Sequence, residues 1–251
     1  MSDALDELAR LVEASGRTVV LTGAGLSTES GLPDYRGPDG LWRNRRFEEL
    51  ASLSTWRERP AELWAFYGER LRALAAAAPN PGHVALAELE RLAYVQLLVT
   101  QNVDGLHRAA GSRRVVEAHG SLAEVECLAC GWRGPSEEAH AQLDAGRAVP
   151  LCQQCDEPLK PAVVLFGERL AADFHLVVRD VEECDLLLCC GTSLQVPPVA
   201  LLPSHALRGG AELAVVNLGP TSCDEAARVR VEGRTGEVLP ALLARLTGTS
   251  R

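Results

Sequence analysis

The stretch Thr18, Val19, Val20, Leu21, Thr22, Gly23, Ala24, Gly25 decides the fold class. Thr18–Leu21 is a β-branched, apolar run of the kind that makes a strand covered on both faces in a parallel sheet. Two glycines follow at once, and they let backbone N–H groups come close to a phosphate. A plain tight turn would use the same glycines. Upstream, Asp3–Ser15 places Leu5, Leu8, Leu11 and Val12 at helical spacing, with Gly16 as the C-cap. Downstream, Val95–Val99, Ala162–Leu165, Leu186–Cys190 and Leu213–Val216 are further strand-like runs. Helical stretches such as Val84–Ala93 and Ala200–Leu207 stand beside them. Alternating strands and helices imply a parallel α/β sheet.

Two stretches break the alternation. One spans about Pro33 to Pro79, reads as helical and holds Trp42, Trp56 and Trp64. The other runs from about Cys127 to Lys160 and is rich in Cys, Gly and Pro. Both read as insertions that together form a smaller lobe. The expected division is 1–32 with 81–125 and 161–251 as a nucleotide-binding domain. Residues 33–80 would be a helical module and 126–160 a metal-binding module. Ligands of open α/β sheets bind at the carboxyl ends of the strands, so the site is expected in the cleft between the lobes.

The insertion at Cys127 carries the pairs Cys127-x-x-Cys130 and Cys152-x-x-Cys155, spaced as in a zinc ribbon. Two such turns aim four thiolates at one tetrahedral ion and leave no open position, so the zinc is structural, one per chain. Cys184, Cys189, Cys190 and Cys223 lie in apolar stretches and read as small buried hydrophobes.

Composition excludes other classes. The 251 residues are 47% hydrophobic and 24% charged, which argues against wholesale disorder. A formal net charge of -9 argues against a nucleic-acid partner, whose phosphates need cations. No apolar run approaches the roughly 20 residues that span a bilayer. The acidic start at Asp3 and Asp6 lacks the basic and apolar regions of a secretory signal. A cytoplasmic protein with no membrane partner is expected.

Three clusters carry polar chemistry. After Gly25 come Leu26, Ser27, Thr28, Glu29, Ser30 and Gly31, so Thr28 stands where a G-x-G-x-x-G fingerprint has its last glycine. The next strand ending in an acidic residue is also missing, so a dinucleotide would not bind as in a dehydrogenase. Val95–Val99 ends in Thr100, Gln101, Asn102, Val103, Asp104, Gly105, Leu106, His107. Asn102 or Asp104 could equally cap the helix that follows. Glu117, Ala118, His119 and Gly120 place a titratable base at the cleft edge.

Gly23–Gly37, Thr100–His107, His119-Gly120 and the cysteine pairs resemble the sirtuins, NAD-dependent protein lysine deacylases. So do Phe166-Gly167-Glu168, Gly191-Thr192-Ser193 and Asn217-Leu218-Gly219, all in the family's order across nearly the whole chain. The resemblance implies a Rossmann-like domain and a smaller lobe of zinc ribbon and helical insertion. It implies that NAD is consumed. The acyl oxygen of a modified lysine attacks the ribose carbon, nicotinamide leaves, and free lysine and acyl-ADP-ribose result. By resemblance His119 takes a proton from a ribose hydroxyl, and Asn102 and Asp104 sit at the ribose and the carboxamide. Asp34, Tyr35 and Arg36 would close over NAD. Gly191, Thr192, Ser193 and Asn217 would hold the adenosine half. Gly23, Ala24, Gly25, Ser30, Trp42, Gln101, Leu218, Gly219 and Thr235 complete the NAD set. Phe166, Gly167 and Glu168 would pair with the substrate backbone as an added strand.

The helical stretch Pro60–Ala78 places Leu63, Tyr67, Arg70 and Leu74 on one stripe. A cation on such a stripe needs a partner or an exit to water. Arg70 could snorkel and pair with Glu69 or Glu62. Sirtuins that remove succinyl or malonyl groups carry a Tyr-x-x-Arg here, matched by Tyr67 and Arg70, and a small residue matched by Ala51. The segments Pro33–Arg36 and Thr192–Val196 look more like other sirtuin classes. Desuccinylase or demalonylase is therefore the expectation and deacetylase the alternative. A mono-ADP-ribosyltransferase on the same scaffold and a non-catalytic zinc-ribbon binding module are the competing classes.

Overall fold

Thr18–Thr22 forms strand β1, and all five residues are buried. It is the interior strand around which the larger sheet is arranged. The computed structural model describes residues 2–34, 45–170 and 173–248. Strand β2 (Leu97–Thr100) pairs with β1 on one side, and β3 (Val115–Glu117) lies beyond it. Strand β7 (Leu186–Cys190) pairs on the other side, followed by β8 (Glu212–Asn217) and β9 (Val229–Glu232). The order is β3-β2-β1-β7-β8-β9, and every pairing is parallel.

Side chains alternate across this sheet with period two. Val20, Leu186, Leu188, Cys190, Ala214 and Val216 share one core with helices α1 (Ser2–Ala14), α5 (Pro81–Arg91) and α10 (Thr235–Leu246). Val19, Leu21, Leu187, Cys189, Leu213 and Val215 share the other with α8 (Phe174–Glu182) and α9 (Leu202–Gly209). Both faces are covered, which is why the strands read as continuous apolar runs. Cys184, Cys189, Cys190 and Cys223 are all buried.

The smaller lobe holds α2 (Arg45–Leu50), α3 (Leu53–Glu58) and α4 (Pro60–Ala75), with α6 (Leu106–Ala109) in the loop after β2. Its sheet has the order β5-β4-β6, formed by β4 (Gly120–Glu126), β5 (Arg133–Pro135) and β6 (Lys160–Val163), all antiparallel. Helix α7 (Glu137–Asp144) follows β5. One hydrophobic cluster joins these parts. Trp56, Leu63, Trp64, Phe66 and Leu71 pack with Leu122, Val125, Cys127, Cys152, Leu159 and Val163. Trp64 is fully buried, and its indole N–H donates to the Leu159 carbonyl at 2.8 Å.

Two expectations need correction. The run Ala162–Leu165 does not join the parallel sheet: its strand is β6 of the antiparallel sheet. All four β6 residues are buried, so the run imitates a doubly covered parallel strand. Gly16 is not a left-handed C-cap, because its φ lies outside that range. A Cβ there would come 3.2 Å from Asp185 Oδ2, the atom that accepts the Arg17 N–H at 2.8 Å.

Trp64 gives a test of the shared core. Trp64→Ala should cost about 3–5 kcal/mol in denaturant unfolding, as expected for a buried tryptophan. Trp64→Phe keeps much of the packing but strands the Leu159 carbonyl, so about 1–3 kcal/mol is expected. A loss under about 1 kcal/mol for Trp64→Ala would contradict the shared core.

Candidate active site

β1 and β7 end level with each other, Thr22 beside Cys190. The loops that follow meet backbone to backbone. The Gly25 N–H donates to the Gly191 carbonyl at 2.8 Å. A Cβ on Gly25 would lie 2.8 Å from that oxygen, and one on Gly191 would lie 2.3 Å from the Leu26 nitrogen. Gly191 is also left-handed, at φ +59. These glycines serve the approach of one loop to the other. After β1 the chain makes two 3₁₀ turns, Ala24–Leu26 and Thr28–Ser30, where a dinucleotide fingerprint would start an α-helix. With no helix to pack there, Thr28 is tolerated, and its hydroxyl donates to the Gly25 carbonyl at 3.0 Å.

Behind this loop lies a buried polar network. The Asn102 amide nitrogen donates to the Gly23 carbonyl and to Ser27 Oγ, each at 3.1 Å. Both N–H groups are committed, and the carboxamide oxygen is the atom these bonds leave over. Ser27 donates to Asp104 Oδ2 at 2.7 Å, while Asp104 Oδ1 accepts the Leu106 N–H at 3.0 Å. Asp104 therefore holds Ser27 and also caps the chain entering α6. His83 Nδ1 accepts the Asn80 N–H at 3.3 Å, and its ring lies 5.0 Å from that of His107. His107 Nε2 is 2.9 Å from Thr22 Oγ1, which donates to Thr100 Oγ1 at 2.8 Å. Burial pushes His107 down to about 3, and the nearby His83 adds to the shift. Burial also lowers His83, against the opposing pull of Asp104. Both rings are neutral at pH 7.

His119 sits between β3 and β4. Gly120 follows it at φ +77, where a Cβ would come within 2.2 Å of the Ala162 carbonyl oxygen. The His119 carbonyl accepts the Val164 N–H at 2.8 Å. Its Nδ1 lies 3.0 Å from the Gln101 carbonyl oxygen. A carbonyl only accepts, so Nδ1 carries the proton and Nε2 keeps a lone pair. Burial lowers the His119 pKa, and the bond to Gln101 opposes that shift. The Gln101 side chain donates to Thr192 Oγ1 at 2.9 Å, tying this base to the loop after β7.

The loops after β1 and β7, Gln101, Asn102 and His119 line one cavity of about 1400 Å³. The large sheet contributes Gly23, Ala24, Gly25, Gln101, Asn102, Gly191, Thr192, Ser193, Asn217, Leu218, Gly219 and Thr235, together with Asp34. The smaller lobe contributes Ala51, Phe66, Tyr67 and Arg70. His119 and the segment 163–170, with Phe166, Gly167 and Glu168, form the wall between. Ser30 and Asp104 are not in the lining; Ser30 accepts from Asn80 Nδ2 at 3.1 Å. Tyr35, Arg36 and Trp42 lie outside the described residues. Phe166 pairs through its N–H and carbonyl with Ala51 and Leu53, each at 2.9 Å, and Leu165 bonds through its N–H and carbonyl to Glu168, so the expected strand pairing does not fall on the Phe166 backbone. Glu62, one of the two glutamates anticipated for Arg70, bonds to Arg59 at 3.2 Å. The Arg70 guanidinium carbon lies 3.5 Å from the centroid of the Phe66 ring, and Nη1 donates to the Phe66 carbonyl at 3.4 Å.

The four cysteines form the remaining candidate centre. All four sulfurs lie within 4.8 Å of one another. Cys127 and Cys155 are 3.5 Å apart, and Cys130 and Cys152 3.7 Å. A disulfide needs about 2.05 Å. A tetrahedron with zinc–sulfur bonds of about 2.3 Å has edges of about 3.8 Å, so the set fits zinc.

Comparison with known proteins then decides the family. Residues 23–198 match the model of the Sir2 family. This chain belongs to the Sir2 family. The NAD-dependent protein deacylase 2 of Archaeoglobus fulgidus is 42% identical over 245 residues, covering 97% of this chain and 96% of the relative. The NAD-dependent protein deacetylase of Sulfolobus acidocaldarius is 38% identical and covers 98% of this chain and 96% of its own. A Sir2 structure with p53 peptide and NAD+ superposes with a TM-score of 0.90 at 34% identity, covering 98% of this chain and 99% of that one. Another Sir2 enzyme structure reaches a TM-score of 0.91 at 40% identity over the full length of both chains. The Sir2 fold thus joins the parallel sheet to the small antiparallel sheet and its cysteine cluster.

Sequence reading of this Sir2 chain missed Ser27, His83, Asn80 and Glu29. Asn80-Pro81 was the available signal: an N-cap residue followed by Pro, with His83 three residues after Asn80, forms a capping box that starts α5. Glu29 accepts the Gly236 N–H at 2.7 Å at the start of α10, a contact no local spacing reveals. For the cysteine centre, Cys152→Ser should lower zinc content and thermal stability together, because metal binding contributes folding free energy. Metal-free protein that melts like the wild type would refute a structural ion.

Proposed function

We propose that this chain, an NAD-dependent protein deacylase of the Sir2 family, removes acidic acyl groups such as succinyl and malonyl from lysine side chains. The observation that carries this reading is one cavity wall holding Ala51, Tyr67 and Arg70 together, with the guanidinium stacked on Phe66. A guanidinium on a ring face is oriented before ligand arrives, and it can give a carboxylate two parallel N–H bonds. Tyr67 supplies a phenol to the same anion. Ala51 leaves room for a longer chain than acetyl.

The roles of the other residues follow the same reading. NAD lies along the carboxyl ends of β1, β7 and β8, with its adenosine half against Gly191, Thr192, Ser193, Asn217 and Gly219. Asn102 offers its carboxamide oxygen at the ribose. The acyl oxygen displaces nicotinamide from the ribose carbon, and His119 Nε2 takes a proton from a ribose hydroxyl. The wall 164–168 takes the substrate backbone as a strand. Zinc, when bound, crosslinks the smaller lobe. The six-stranded parallel sheet acts as the NAD-binding domain; the expected bounds at 125 and 161 cut through β4 and β6, which join 33–80 and 126–160 in the smaller lobe.

His119→Ala should lower turnover by roughly 10²–10⁴-fold with the fold intact. The wild-type pH profile tests the base directly. The active form is the neutral imidazole, so activity is present above its pKa and lost as pH falls through it. Burial lowers that pKa, so the acid limb of kcat/KM should lie below pH 6.5. An acid limb above 6.5, or near-normal deacylation by the folded variant, would remove His119 from this role.

Arg70→Met should depress kcat/KM for a succinyl-lysine peptide at least about a hundredfold, since breaking a buried charge pair costs on the order of 3–5 kcal/mol. Acetyl-lysine should change far less. Equal losses on both peptides would make Arg70 structural. A strong wild-type preference for acetyl-lysine would favour the deacetylase reading instead.

A further inference from the structure

Lys160 is a lysine with 1% of its surface exposed, at the start of β6. Its ammonium has acceptors on every side. It donates to Glu126 Oε1 at 2.8 Å, to the Val163 carbonyl at 2.8 Å and to the Pro161 carbonyl at 3.2 Å, and it lies 3.2 Å from Glu168 Oε2. A buried ammonium needs this many partners to replace its water. The two carboxylates belong to different parts of the protein. Glu126 precedes Cys127 and stands opposite Lys160 in the β4–β6 register, so this pair closes the stem of the four-cysteine module. Glu168 belongs to the cavity wall, and the oxygen that faces Lys160 also accepts the Leu165 N–H at 2.8 Å. The turn 165–168 is therefore shaped by a carboxylate that Lys160 holds from behind.

We propose that Lys160 is a positioning residue that couples the folded four-cysteine module to the peptide-binding wall of the cleft, holding Glu126 at the module's stem and Glu168 in the wall with one ammonium. The inference rests on the reading that segment 164–168 pairs with the substrate backbone. Lys160 itself is not in the cavity lining, so it acts only through Glu168 and the Val163 carbonyl. When the module loosens, Glu126 leaves the ammonium, and the ammonium no longer fixes Glu168 and the turn that carries Gly167. The consequence falls on the acylated peptide. The NAD side of the cleft is built from the parallel sheet, whereas Lys160 and Glu126 belong to the antiparallel one.

The test uses the full zinc-loaded chain and three measurements. These are the Kd of a fluorescent acyl-lysine peptide by anisotropy without NAD, the rate of zinc release to a colorimetric chelator, and steady-state kcat with the KM for NAD. Lys160→Met should weaken peptide binding about tenfold and speed zinc release, with kcat and the NAD KM within about twofold. Lys160→Arg, which keeps the charge and the donors, should restore both in large part. Unchanged peptide Kd in Lys160→Met overturns the coupling, and so does a parallel rise in the NAD KM. Should Lys160→Met fail to fold, Glu126→Leu, outside the cleft, should give the same two shifts in smaller measure. Faster zinc release with unaltered peptide Kd in that variant also overturns it. A peptide N-methylated on either side of the acyl-lysine, bound to wild type, separates the two claims. Undiminished binding of that peptide overturns the strand-pairing reading itself. Weakened binding there, with wild-type affinity in Lys160→Met, overturns only the role of Lys160.

Discussion

The active site depends on two strand ends coming closer than side chains permit. Gly25 and Gly191 meet through a 2.8 Å backbone hydrogen bond, and a Cβ on either would overlap the other loop. The contact lies where the sheet changes direction. From β1 the chain builds outward through β2 and β3, then crosses to β7, β8 and β9 on the other side. At such a switch point neighbouring loops leave in opposite directions, and a crevice opens at the strands' carboxyl ends. Because the loops after β1 and β7 are locked together, Gly23 offers its carbonyl to Asn102, and Thr192 accepts from Gln101. Gln101 in turn fixes His119. The candidate base is thus oriented by a chain of contacts that begins at two glycines.

The polar interior around this crevice carries little charge. His83 and His107 are held neutral by burial, and Thr22 passes hydrogen bonds between the uncharged Thr100 and His107. Asp104 is the buried network's carboxylate, and it is satisfied by Ser27 and the Leu106 N–H. Such an interior orients the Asn102 amide without a strong field of its own. In a chain of net charge -9, Arg70, Arg169 and Arg234 bring cations to the described lining of the cleft. Arg70 is in the lining and rests on the Phe66 face. The smaller lobe supplies that cation from a helix anchored by Trp64 against the zinc module's own strand end.

Much of this was legible along the chain. Strand β1, the glycines after it, the two cysteine pairs and the His119-Gly120 turn are local patterns of residue type and close spacing, although Gly25 meets Gly191 and Gly120 meets Ala162 only in the fold. Short elements were not legible. β3 has only three residues and β9 four, too few for a period to register. β6 misled because burial by neighbouring elements on both sides gave it the apolar look of a parallel strand. The spacing of Leu63, Tyr67, Arg70 and Leu74 defined a stripe but left Arg70 two fates.

The sequence by itself therefore determined the α/β class, the metal-ligand set and the family motifs, since these rest on residue type and close spacing. Tertiary structure alone decided which motif members face the cavity. It set Asn102 in the lining and Asp104 behind it, though both stand in one short motif. It brought Ser27 to Asp104 across 77 residues and Lys160 to Glu126 across 34. It laid Arg70 on Phe66 while Glu62 went to Arg59. The reason is physical. A buried polar or charged group must find its partners wherever packing brings them, and packing joins residues that the chain keeps far apart.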